Sequence, residues 1–322
     1  MNHAELLAAF RKLNVLVVGD VCLDRWCRYD PALADPSRET GIPRIGVVST
    51  EVTPGAAGTV ASNIAALGAQ VSVLGATGDD GFAWELRTAL DRRGIAHDLL
   101  LASPEIATFT YTKLLRTDTG DEDLPRVDFV NTKPLPADID AELVRQLESV
   151  APRFDVIIVS DQAETSQGGV VTSAMREALH RIAQTCLTWV DSRMRAELFR
   201  HAVVKPNHEE ADAACIRALG RVDYPALRHR IEAPMLIVTH GGEGAQLIDS
   251  NGATWIPTQA VEHPVDICGA GDSFSAGAAL TLKVTGDAVA AVRFGNLVAS
   301  ITIMKKGTGT ASPGEILSLS GQ

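Results

Sequence analysis

Short runs of consecutive apolar residues recur along the chain, most of them closed by a polar residue: LNVLVVGD (13–20), QVSVLGATG (70–78), FDVIIVSD (154–161), CLTWVD (186–191) and PMLIVTHGG (234–242). Runs this short, with no regular polar alternation, predict strands covered on both faces. Between them, at about 58–68, 81–93, 137–149 and 168–184, apolar residues return every three to four positions, the stripe of a helix packed on one side. Alternation of the two patterns predicts βαβ units, hence an α/β fold with a mainly parallel central sheet between helical layers. Ligands of such sheets gather beyond the carboxyl ends of the strands, where the closing residues GD, SD, VD and THGG fall.

Two segments break the alternation. Residues 30–53 and 106–133 carry Thr, Val, Phe and Tyr with a period of two, plus turn residues and no helical stripe. They are expected to form a small antiparallel sheet inserted twice into the main fold, acting as a lid. From about 269 to 304 the chain turns helical, in two Ala-rich stretches parted by Thr285 and Gly286. Residues 1–322 are expected to form a single domain.

Composition narrows the classes of function. No apolar run reaches the length of a membrane span, and the start, MNHAELLAAFRKLN, lacks the apolar core and cleavage site of a secretory signal, so a soluble cytoplasmic protein is expected. A net charge of −11 with only seven lysines argues against nucleic acid or an anionic membrane as partner. The five cysteines are scattered, with no C-x-x-C pair and no histidine at zinc spacing, which reads as free thiols. The eight histidines form no cluster, and His240 and His263 read as neighbours of a loop or surface groups rather than metal ligands.

The most informative stretch is DICGAGDSFSAG (266–277). Gly269-Ala270-Gly271 begins a dinucleotide-type G-x-G-x-x-G, but Phe274 stands in place of the third glycine and no strand with an acidic ribose ligand follows. A P-loop is excluded, because no lysine in the chain follows a glycine. What remains is a turn whose amides, freed of side-chain bulk at Gly269 and Gly271, converge at a helix start and suit an anion. Asp272 beside them fits phosphoryl transfer to an alcohol, with the amides stabilising the migrating group and the carboxylate taking the hydroxyl proton. It equally fits a plain helix cap.

DICGAGD (266–272) resembles the D-T-x-G-A-G-D-type motif of the ribokinase family, also called the phosphofructokinase-B family of carbohydrate kinases. NHEE (207–210) is similar to that family's N-x-x-E pattern, THGGEG (239–244) to its T-x-G-x-x-G loop, and GAAGTVASNIAALGA (55–69) to its glycine-rich sugar-contacting motif. The likeness extends over nearly the whole chain. It implies a three-layer α/β/α sandwich with a small β-sheet lid, and an ATP- and Mg2+-dependent sugar kinase in which Asp272 is the base and Gly269, Ala270 and Gly271 form the anion hole.

The same resemblance implies sugar contacts from Asp20, Asp24, Gly55, Ala56 and Thr59, and Lys113 is expected as a further substrate contact through its charge. The nucleotide is expected at Asn207, Glu210, Thr239, Gly241, Gly244 and Asn296, with Glu210 ordering Mg2+ through water. A monovalent cation, potassium by analogy, is expected at Asp266, Cys268 and Gly307, and pairing of lids implies a homodimer. GDVCLDRW (19–26), RVDF (126–129), VSDQA (159–163) and KKGTGTASP (305–313) look most like the members that phosphorylate heptose 7-phosphate. A nucleotidyltransferase segment, which follows the kinase in many of those proteins, is not expected here.

Two departures bear on the acceptor. Thr59 replaces the usual asparagine, and a hydroxyl cannot offer the donor and acceptor pair of a carboxamide. Glu164 stands where a lysine is usual, which disfavours an acceptor that already carries a phosphate unless Arg193, Arg195 or Lys113 compensates. The alternatives are a nucleoside or other small-alcohol kinase on the same scaffold, and a non-catalytic relative that binds a sugar or nucleotide.

Overall fold

A computed structural model describes residues 1–163, 165 and 167–320. The chain opens with α1 (His3–Phe10), β1 (Asn14–Gly19), β2 (Val21–Tyr29), β3 (Val47–Ala56), α2 (Ala57–Ala66), β4 (Gln70–Gly78), α3 (Gly81–Asp91) and β5 (Ala96–Ser103). It continues through β6 (Thr110–Arg116), β7 (Val127–Phe129), α4 (Ala137–Val150), β8 (Val156–Asp161), α5 (Ser173–Ala183), β9 (Leu187–Ser192), β10 (Val203–Val204), α6 (His208–Leu219) and α7 (Tyr224–Arg230). It closes with β11 (Leu236–Thr239), β12 (Gly244–Asp249), β13 (Gly252–Pro257), α8 (Ala270–Thr285), α9 (Ala288–Thr302) and α10 (Pro313–Ser320).

The large sheet has the order β13-β12-β11-β10-β9-β8-β1-β4-β5. It is parallel from β5 to β11, and β12 and β13 add an antiparallel edge. Neighbouring residues of one strand feed opposite layers. Val15 and Val17 pack in a core with Ile64 of α2, Leu280 of α8 and Val298 of α9. Leu16 and Val18 pack in a second core with Leu147 of α4 and Met175 of α5. Each such side chain stabilises the fold by roughly 1.5–3 kcal/mol when fully buried, which is why the apolar runs lie inside this sandwich. From β1 the chain order runs outward in both directions, to β4 on one side and β8 on the other, so a switch point lies at their carboxyl ends. Gly19 makes that junction possible: its φ is +147°, and a Cβ there would lie 2.0 Å from the Ser160 carbonyl oxygen.

A second sheet has the order β3-β2-β6-β7. β2 with β3 and β6 with β7 are antiparallel, as expected, whereas β2 with β6 is parallel. Its boundaries differ from those read in the sequence. β2 spans residues 21–29, upstream of the expected segment, while 30–46 contributes only a short 3-10 turn and an isolated Pro36–Pro43 bridge. Pro31, Pro36 and Pro43 lack the N–H groups that a strand ladder needs. The helix expected from 168 begins only at Ser173, where Thr172 caps it by accepting the Met175 amide. All five cysteines are free, and no described helix is long and apolar enough to cross a membrane.

Candidate active site

The start of α8 is shaped by its glycines. Gly269 adopts the left-handed conformation (φ 78°) and supplies no side-chain cap, and a Cβ on it would lie 3.1 Å from Thr59 Cγ2 and 3.3 Å from Thr308 Cγ2. Of the three amides expected to form the anion hole, that of Ala270 instead donates to the Ile267 carbonyl at 3.2 Å. Among the described residues, the amides of Gly269, Gly271 and Asp272 have no acceptor, so the usable donors are these three, aligned with the positive end of a 16-residue helix.

Asp272 lies in that first turn, half-buried. Burial, and next the neighbouring Asp191 carboxylate, push its carboxyl up to about 8, against the pull of Lys205; Asp24 adds to the rise and Arg193 opposes it. A carboxyl raised this far is a stronger base once it has lost its proton, and its pKa stands near the operating pH that general-base catalysis favours. Below it lies a pair that sequence reasoning missed. Lys205, at the end of β10, is buried and places Nζ 2.9 Å from Asp191 Oδ2, which also accepts from Ser275 Oγ at 3.2 Å. Burial alone would lower the Lys205 pKa, but Asp191, with Glu210 and Asp272, raises it and keeps the ammonium charged. Gly271 lies over this cation, where a Cβ would come to 3.4 Å from Nζ. The available signal was the polar closure of two strands, in TWVDS and VVKPN.

Asp24, Ala56, Thr59, Lys113, Cys268, Gly269 and Asp272 all line one cavity of about 170 Å³, together with Arg126, Gln162 and Arg193. Burial pushes the Asp24 carboxyl up to about 6, with Lys113 and Arg126 pulling it down. Gly55 is not in the wall but makes room for it: a Cβ there would lie 2.6 Å from both Asp24 Oδ2 and Cys22 Sγ. Ala56 carries a positive φ of 51° at the start of α2, a strained conformation of the kind that clusters at functional sites. The Thr59 hydroxyl donates to the Pro54 carbonyl at 3.3 Å. Lys113 lies 3.5 Å from Glu122, and Arg126 pairs with Asp128 at 2.7 Å while its guanidinium covers the Tyr111 ring at 4.9 Å.

Asp20, expected among the sugar contacts, is placed otherwise. It is buried outside the cavity lining, and its carboxylate accepts three main-chain amides, from Gln162, Ala163 and Val170. Of the expected compensating cations, Arg193 and Lys113 line the cavity, whereas Arg195 turns inward to bond Asp161 through Nε at 3.1 Å. Glu164 lies outside the described residues.

A second cavity, of about 360 Å³, lies across the start of α8 and is lined by Thr239, Gly241, Gly244, Ala270, Gly271 and Asn296, among others. Buried Asn296 Nδ2 has no hydrogen-bond partner among the described residues, a donor left for a ligand acceptor. Asn207 and Glu210 lie outside this lining and cap α6 reciprocally: Glu210 N donates to Asn207 Oδ1 at 2.8 Å and Asn207 N to Glu210 Oε2 at 2.9 Å. A bridge between Asn207 and Thr239 keeps that helix start beside the glycine loop. Burial and the nearby Asp191 push the Glu210 carboxyl up, the condition that an added cation would relieve. His240 stacks on His208 at 5.4 Å and meets the Trp255 ring at a tilt, 5.1 Å away. Asp266 draws the expected cation residues together, accepting the Cys268 amide at 2.9 Å and the Gly307 amide at 3.1 Å. One oxygen each is thereby bonded, and the remaining lone pairs could face a monovalent ion.

A family model described as pfkB family carbohydrate kinase matches residues 12–314. The bifunctional protein HldE of Pelobacter propionicus is 30% identical over 323 residues, covering 95% of this chain and 63% of that protein. The chain thus spans less than two thirds of the length of this curated relative. Arabidopsis thaliana ribokinase complexed with ribose and ATP aligns with a TM-score of 0.71 at 18% identity, over 96% of this chain and 99% of that one. Escherichia coli phosphofructokinase-2 in complex with potassium aligns with a TM-score of 0.71 at 19% identity, over 96% and 98%. At these identities the two structures establish a ribokinase-like α/β fold.

Proposed function

This chain belongs to the pfkB family of carbohydrate kinases, and on that footing we propose that it transfers the γ-phosphoryl group of Mg-ATP to a hydroxyl of a sugar phosphate. The observation that carries the reading is the meeting of two cavities at one helix start: Gly269 and Asp272 line the first, Ala270 and Gly271 the second. The first takes the acceptor and the second the nucleotide. The Asp272 carboxylate removes the proton of the attacking hydroxyl as the new oxygen–phosphorus bond forms and the bond to the ADP leaving oxygen breaks. The amides of Gly269, Gly271 and Asp272 stabilise negative charge on the migrating group. Magnesium, when bound, would supply charge neutralisation on the phosphate oxygens, and Glu210 would order its shell.

Asp24 orients the acceptor through its hydroxyls. Lys113, Arg126 and Arg193 gather positive charge in the same cavity, beyond what hydroxyls alone require, and this favours an acceptor already carrying a phosphate. Heptose 7-phosphate is the first candidate. The small sheet supplies Asp24, Ala56 and Lys113 to the wall, and closure of this sheet as a lid would exclude water from the transfer. Two copies would pair in the cytoplasm through this sheet, whose opposite edge strands expose Val47 and Val48 on β3 and Val127 and Phe129 on β7. Potassium at Asp266 and Gly307 would brace the turn that leads into α8.

The test is ADP release measured over heptose 7-phosphate, fructose 6-phosphate, free hexoses and nucleosides. Turnover confined to phosphorylated sugars and abolished in Asp272→Asn is expected. Turnover with nucleosides or free hexoses alone, or an active Asp272→Asn variant, overturns the reading.

A further inference from the structure

We propose that Asp20 is a positioning residue of the acceptor cavity: its buried carboxylate holds the turn that carries Gln162, while its main-chain carbonyl holds the start of α2. Oδ2 accepts the Gln162 and Ala163 amides, both at 2.9 Å, and Oδ1 accepts the Val170 amide at 2.9 Å. The Asp20 carbonyl accepts the Ala57 amide at 3.1 Å, and its own amide donates to Ser160 at 3.1 Å. One residue at the β1 end therefore fixes two walls of the cavity, Gln162 on one side and the Ala56–Thr59 turn on the other. Gly169 shows how closely the chain folds over the carboxylate. Its φ is +89°, and a Cβ there would lie 2.6 Å from Ala163 Cβ and 3.0 and 3.1 Å from the two Asp20 oxygens.

The same turn reaches the root of the small sheet. Thr165 Oγ1 accepts the Gly168 amide at 2.9 Å and donates to the Asn131 carbonyl at 3.4 Å. The Asn131 side chain pairs both ways with the main chain of Ala107, at 2.9 and 2.8 Å, and so staples the residues just before β6 to those just after β7. Those strands and their connection supply Lys113 and Arg126. Asp20 thus anchors one end of a hydrogen-bonded path whose other end is the hinge of the cationic wall. None of these groups lines the nucleotide cavity, so the path acts on the acceptor and leaves the nucleotide alone.

This inference rests on the acceptor cavity assigned above, and its test separates the two. In Asp20→Asn one acceptor oxygen becomes an NH2 facing an amide. With heptose 7-phosphate as acceptor, KM for the acceptor should rise by about tenfold or more while KM for ATP stays within about twofold. Thr165→Val, which removes only the half-buried second tie, should raise acceptor KM by about threefold and serves if the first variant does not fold. Unchanged acceptor KM in folded variants, or equal rises for both substrates, overturns the inference. Hydrogen exchange on the full chain needs no acceptor: Asp20→Asn should speed exchange at Gln162, Ala163 and Val170, and Thr165→Val at Gly168. Unchanged protection there overturns the inference even in an active enzyme. Faster exchange in the variants, found alongside a wild type that phosphorylates no sugar, supports the clamp and counts only against the proposed reaction.

Discussion

Lys205 Nζ and Asp191 Oδ2 lie 2.9 Å apart, both side chains almost fully buried, under the first turn of the helix that carries Asp272. Removing one partner of a buried pair leaves the other charge uncompensated, a loss of about 3–5 kcal/mol. Lys205→Met should lose about that much in urea unfolding. Lys205→Met combined with Asp191→Leu should recover much of the stability, because an apolar pair needs no compensation, yet stay inactive because Asp272 has lost its neighbouring cation.

Asp272→Asn keeps the size and shape of the side chain in the first turn of α8 and removes the base. Its kcat should fall by about 10²–10⁴-fold with little change in KM for ATP, read in the ADP-release assay.

The pH dependence of stability has a defined sign. The Asp272 carboxyl rises from 3.8 to about 8 in the folded protein, chiefly through burial. The folded state therefore binds this proton more tightly than the unfolded one. The resulting stabilisation is fully present below about pH 4 and is lost as pH rises toward 8. Asp272→Asn should be more stable than wild type at pH 9, and denaturation curves taken downward in pH should converge near pH 4. For the nucleotide-free enzyme, log kcat/KM for the acceptor should climb to about pH 8 and then level.

Gly55→Ala tests the room behind Asp24. The added Cβ would stand 2.6 Å from Asp24 Oδ2, so the carboxylate must shift. Acceptor KM should increase by about tenfold or more, with KM for ATP unchanged in steady-state kinetics.

Arg126→Ala tests the charge of the acceptor. A hydrogen bond to a charged group contributes about 1.5–3 kcal/mol, so kcat/KM for a phosphorylated sugar should drop by about 10–100-fold. Turnover of an unphosphorylated analogue, compared in the same assay, should change little.

Much of this arrangement was legible along the chain because it is local. The apolar runs gave β1, β4, β8, β9 and β11 within a few residues, since a strand buried on both faces leaves no polar position. Gly269 marked the start of α8 because a left-handed residue packed against Thr59 and Thr308 disfavours a side chain. β2 was harder: Asp24, Arg25 and Arg28 interrupt its apolar residues, because Asp24 looks into the polar cavity, Arg25 pairs with Glu85 and Arg28 is exposed.

By itself, the order of residues determined the α/β architecture, the glycine turn and the carboxylate beside it, because hydrophobic period and backbone sterics act over a few positions. Only the tertiary structure decided that Asp20 faces inward to three amides, that the Ala270 amide is already bonded, and that Lys205 meets Asp191. Those outcomes depend on the register of β1 against β8 and of β9 against β10. Register is set by packing between distant segments, and a change of one residue there turns a side chain from the cavity to the core.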